Sequence, residues 1–75
     1  MLKIGDKVLI INAGNGAYGA NGLIGYVTEK PSKSGLMPDK PGINIDIDDY
    51  VWRVAEDFRY ELLEKPNQEI QYEIC

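Results

Sequence analysis

Residues 13–22 read Ala-Gly-Asn-Gly-Ala-Tyr-Gly-Ala-Asn-Gly, holding four of the chain's eight glycines and a single large side chain, Tyr18. Each glycine in a helix interior costs ~1 kcal/mol against alanine, so this stretch cannot be helical. It is a loop, with Asn15-Gly16 and Asn21-Gly22 suited to positive φ at turns. Residues 30–42 make a second break, with three of the four prolines, both serines and three of the six lysines. Such a segment reads as a long solvated loop. In a chain of 75 residues, two interruptions of this size leave room only for short elements. A chain this small buries only ~60% of its unfolded surface. It makes one domain and excludes a dinucleotide-binding βαβ unit, a TIM barrel or a two-domain enzyme.

The segments around the loops read as strands. Lys7-Val8-Leu9-Ile10-Ile11-Asn12 is a β-branched apolar run between Gly-Asp and Asn-Ala-Gly. Leu23 to Glu29 is the second strand, in which Gly25 marks a bulge or a close backbone approach. Ile43-Asn44-Ile45-Asp46-Ile47-Asp48 alternates strictly, placing three isoleucines on one face and Asn44, Asp46 and Asp48 on the other. Asp48-Asp49-Tyr50 turns the chain into Val51-Trp52-Arg53-Val54-Ala55, which completes a hairpin. Glu56 to Tyr60 reads as a short 3-10 or helical turn leading to a last strand at Leu62-Leu63-Glu64. Residues 1–65 therefore form the domain. Residues 66–75 form a tail that alternates weakly at Ile70, Tyr72 and Ile74, with an edge strand, an arm or a frayed end all open.

About five short strands with one late 3-10 turn predict an all-β fold, a small strongly bent barrel that closes its own edges. The order of parts resembles SH3-like small barrels, including the KOW-type subgroup. The likeness rests on Ile4-Gly5-Asp6-Lys7-Val8, Gly22-Leu23-Ile24-Gly25-Tyr26-Val27, Ile43-Asn44-Ile45-Asp46-Ile47, Trp52-Arg53-Val54 and the stretch from Phe58 to Glu64. It spans roughly residues 3–65, and in detail looks most like small phage- and prophage-encoded SH3-like proteins of Gram-positive bacteria. Two departures matter. The first loop lacks the acids and the aromatic cluster of proline-rich-peptide binders. The chain is also acidic, where RNA-binding barrels of this kind are basic.

Charge and composition remove most chemistry. There is no histidine, and the single cysteine is Cys75, read as an idle reduced thiol. Histidine-based acid–base catalysis, Ser–His or Cys–His dyads and His/Cys metal cages have no residues to build on. Enzyme activity, a metal and a cofactor are not expected. Gly14-Asn15-Gly16-Ala17-Tyr18-Gly19 fits the spacing G-x-G-x-x-G, but a turn and a strand follow it rather than the helix a pyrophosphate site needs. Asp46, Asp48, Asp49, Glu56 and Asp57 form an acidic cluster best read as a solvated face. The longest apolar run, Val8 to Ile11, is far below the ~20 residues of a bilayer span, and a cytoplasmic protein is expected.

The net charge is −4, and its distribution is uneven. Residues 1–42 carry five lysines against Asp6, Glu29 and Asp39, a net of +2, whereas residues 43–75 carry a net of −6. An acidic half can steer a basic partner, or it can serve solubility alone. Tyr50 and Trp52 share a strand face, and Trp52 is expected in the core. Tyr18, alone in a glycine-rich loop, is open to an exposed contact role or a folded-back one. Together these readings predict a non-enzymatic protein-interaction module, in one version a small phage-type inhibitor or adaptor. Its expected contact residues are Tyr18, Asp46, Asp48, Asp49 and Tyr50. Nucleic-acid binding through Lys3, Lys7, Lys30, Lys33 and Lys40, and self-assembly into a homo-oligomer, are the alternatives.

Overall fold

A computed structural model describes residues 2–14 and 16–65. It is all-β, with strands β1 (Lys7–Asn12), β2 (Ile24–Val27), β3 (Ser34–Gly35), β4 (Gly42–Ile47), β5 (Tyr50–Ala55) and β6 (Arg59–Glu64), and one 3-10 turn at Tyr18–Ala20. The strands form one mixed sheet in the order β3-β5-β4-β2-β1-β6. All pairings are antiparallel except that of β3 with β5, which is parallel.

The hairpin of β4 and β5 follows from its sequence. Alternation turns Ile45 and Ile47 into the core while Asn44 and Asp46 stay half-exposed. The strands join through Asp48 and Asp49, whose φ values of 51° and 69° give the two positive-φ central residues that a type I′ turn requires. Asp tolerates this region better than most residues because its short side chain bonds locally. Here the Asp49 N–H donates to Oδ1 of Asp46 at 3.0 Å. Gly25 is a close-approach glycine rather than a bulge. A Cβ there would lie 2.7 Å from the Asp46 carbonyl oxygen and from methyl or methylene carbons of Ile45 and Ile47. The register irregularities fall instead between β1 and β6.

Three expectations are corrected. The described residues form six strands rather than five, because Ser34-Gly35 in the second loop pairs with Trp52 and Arg53. Among the described residues the sheet does not close into a barrel: β3 and β6 stand at its two ends and are not paired with each other. Only two residues of β3 reach the ladder, so that end of the sheet offers too little backbone for closure. The 3-10 turn lies early, inside the glycine-rich loop, and not at residues 56–60. Near the latter, Phe58 N–H bonds back to Ala55 O at 3.0 Å in a tight turn, and β6 begins directly at Arg59. The tail, Cys75 and Asn15 lie outside the described residues.

The core is assembled from Val8, Ile10, Val27, Ile45, Ile47, Val54 and Phe58, together with Ala13, Ala17 and Ala20 from the glycine-rich loop. That loop is therefore half core. Successive i→i+3 bonds (Ala20 N to Ala17 O at 3.0 Å, Asn21 N to Tyr18 O at 3.1 Å) coil it so that alanines face in and Tyr18 faces out. Trp52 packs on the core but is only half-buried. Asp6 is buried and answers its own desolvation locally, accepting the Lys3 N–H at 2.8 Å. No helix among the described residues is long and apolar enough to cross a membrane.

Candidate interaction cleft

The two loops that interrupt the sequence meet in space. Both are anchored at their bases. In the first, the Asn12 side chain accepts the Gly14 N–H at 3.1 Å, the Asn21 side chain accepts the Ala13 N–H at 2.7 Å, and Ala55 N–H donates to Ala13 O at 3.0 Å. In the second, Lys33 and Leu36 N–H groups donate to Val51 and Arg53 carbonyls at 2.8 and 2.7 Å. The Arg53 guanidinium then reaches over to the Lys40 carbonyl at 2.6 Å and to Oδ1 of Asn44 at 3.4 Å. Arg53 thus holds both ends of the segment 36–42 against the sheet, the Leu36 end through its backbone carbonyl and the Lys40 end through its guanidinium, whose other nitrogen rests on Asn44.

Contact between the loops depends on glycine. Gly16, at φ +88°, lies so near the second loop that a Cβ would be 3.3 Å from Gly35 O and 3.5 Å from Leu36 Cα. Gly35, at φ +112°, lies against Arg53 so closely that a Cβ would collide with its backbone. Between the loops runs an open cleft of about 760 Å³. Tyr18 and Met37 stand on its walls at 61% and 63% exposure, with Leu36 and Pro41 beside them. Glu56 and Asp57, on the turn after β5, and Lys40 give it charge of both signs. Neither acid makes an ion pair with another described residue.

The structure divides the five residues singled out from sequence between two places. Tyr18 is on the cleft. Asp46, Asp48, Asp49 and Tyr50 gather at the tip of the β4–β5 hairpin. Asp46 is engaged structurally, since its second oxygen lies 3.4 Å from the Lys30 ammonium while the first holds the turn. Asp48 and Asp49 are exposed. Tyr50 shares a hydrogen bond with the Ser34 hydroxyl, lies under the Lys33 ammonium at 6.0 Å and meets the Trp52 ring at 5.6 Å. The two places are linked through Trp52, because Gly19 sits on the indole so closely that a Cβ would be 2.8 Å from its edge. Tyr18, Gly19, Trp52 and Tyr50 thus make a continuous run of surface.

The other chemical readings find little geometry. The G-x-G-x-x-G segment leads into a three-residue 3-10 turn, so no helix end presents its N–H groups there. Among the described residues no group of three or more Asp, Glu, Cys or His is placed to hold a metal ion. Of the lysines proposed for phosphate, Lys7 and Lys30 are each in an ion pair, with Glu64 at 3.5 Å and with Asp46. No protein-family model, no curated protein and no solved structure matches this chain.

Sequence reasoning missed Leu36, Met37, Pro41, Glu56 and Asp57 as cleft residues. One signal was available: Leu36-Met37 is the only apolar pair in an otherwise polar and proline-rich loop, which is costly to leave in water without a use.

Proposed function

We propose that this chain is a non-enzymatic protein-interaction module whose contact surface is the cleft between the two loops, extended along Trp52 and Tyr50 to the acidic hairpin tip. The observation that carries the reading is the cleft itself. Two loops rich in glycine and proline are held by backbone and arginine bonds so that Tyr18 and Met37 stand exposed on a concave surface. Apolar side chains held in a concavity before binding lose little entropy on contact, which is what an anchor for a partner needs. Asp48, Asp49, Glu56 and Asp57 supply an acidic rim that speeds encounter with a basic partner. In the form that the resemblance implies, such a module is a small inhibitor or adaptor of phage type.

The test is capture from nuclease-treated lysate by the full chain, repeated with Tyr18→Ala/Met37→Ala and with Asp48→Asn/Asp49→Asn. One stoichiometric protein is expected, released as salt rises, lost with the cleft pair and weakened by the asparagines. Undiminished capture by the cleft pair contradicts the reading. Retention that depends on added nucleic acid assigns the surface to nucleic-acid binding instead.

A further inference from the structure

We propose that the outer face of β1 and β2 is an interface with a second copy of this chain. Val8-Leu9-Ile10-Ile11 is apolar at every position. Val8 and Ile10 enter the core, so alternation sends Leu9 and Ile11 to the opposite face. The register sets Ile24 opposite Leu9 and Tyr26 opposite Lys7, which completes a row of Ile11, Leu9, Ile24 and Tyr26 across two strands. Ile11, Ile24 and Tyr26 are 50%, 49% and 49% exposed.

An antiparallel sheet with one face in water alternates apolar and polar residues, and β4 does so with Asn44 and Asp46. Strands β1 and β2 do not. Their composition is that of strands covered on both sides. Next to the row lies β6, exposed throughout and with its outer edge unpaired by any described residue; its Glu61 stands opposite Leu9 on the same face, whereas Leu62, opposite Val8, belongs to the other.

A second copy is the occupant these features select. The face carries both signs of charge, the Lys7–Glu64 pair (3.5 Å) at one end and Glu61 opposite Leu9, so a two-fold axis can set these groups against their copies as an isologous interface must. The chain also has reason to associate. Among the described residues, three of the ten buried in its core cluster are alanines, and its single cysteine cannot form an internal disulfide. Chains of this size commonly draw stability from oligomerisation when they lack such staples.

Light scattering and sedimentation on the full chain, from micromolar to millimolar concentration, decide the matter. The expected result is a species of twice the 8.4 kDa chain mass that dissociates on dilution. Ile11→Lys/Ile24→Lys, or Tyr26→Lys as a second variant, is expected to weaken association about tenfold or more. Because these side chains are exposed, circular dichroism at low concentration should be unchanged. A monomer at every concentration overturns the proposal, and so does a dimer indifferent to both variants. A wild-type monomer that begins to associate when Ile70→Asp/Tyr72→Asp is introduced also overturns it, assigning the cover to the chain's own C-terminal residues.

Discussion

A methyl group added at Gly25 has no free space, since three atoms of β4 already lie 2.7 Å from where it would stand. Gly25→Ala is expected to destabilise the fold by about 1–3 kcal/mol through overpacking, read as a lower midpoint in urea. Gly22 is the contrasting case: nothing lies within 4 Å, but φ is +84°. Gly22→Ala should cost only the left-handed strain, about 1–2 kcal/mol. At the hairpin tip the direction reverses. Asp49 holds φ 69° without being glycine, so Asp49→Gly should stabilise by ~0.5 kcal/mol in the same titration. Gly25 was legible as a constrained position because a glycine inside an apolar run needs a reason. Which constraint applied was not, because it depends on how closely β4 approaches.

At the scale of elements, the β4–β5 hairpin was fully legible: strict alternation and a turn of two small acids leave one register that buries the isoleucines. β1 and the place of β2 were legible for the same reason. The loops were not. Ala13, Ala17 and Ala20 look like filler among glycines, yet each is fully buried. Small side chains enter a core when the backbone itself comes close, and no hydrophobic pattern announces that. Ala17→Leu or Ala20→Leu is therefore expected to destabilise by about 1–3 kcal/mol, as a core overpacking and not as a loop change, measured by thermal or urea unfolding. β3 was invisible because two residues owe their strand conformation wholly to β5. The segment 36–42 depends on Arg53. Arg53→Lys keeps the charge and loses the forked bonds to the Lys40 carbonyl and Asn44, so amide hydrogen exchange at Met37, Asp39 and Lys40 should accelerate while β1, β2 and β4 stay protected.

For the whole molecule, the expectation of a closed barrel failed at the ends of the sheet, where β3 and β6 do not meet. Closure is decided by whether the last strands meet, which no single segment encodes. The candidate site was half legible for a related reason. Tyr18 and the hairpin acids stand out by residue type, whereas the cleft exists only because two loops far apart in sequence lie against each other at Gly16 and Gly35. Without that packing there is no preformed surface for a partner. Nuclear Overhauser spectra of the full chain test the packing directly. Cross-peaks are expected from Gly16 to Gly35 and Leu36, and from the Gly19 α-protons to the Trp52 indole. Random-coil shifts at Gly16 and Gly19, with no contacts between the loops, would contradict it.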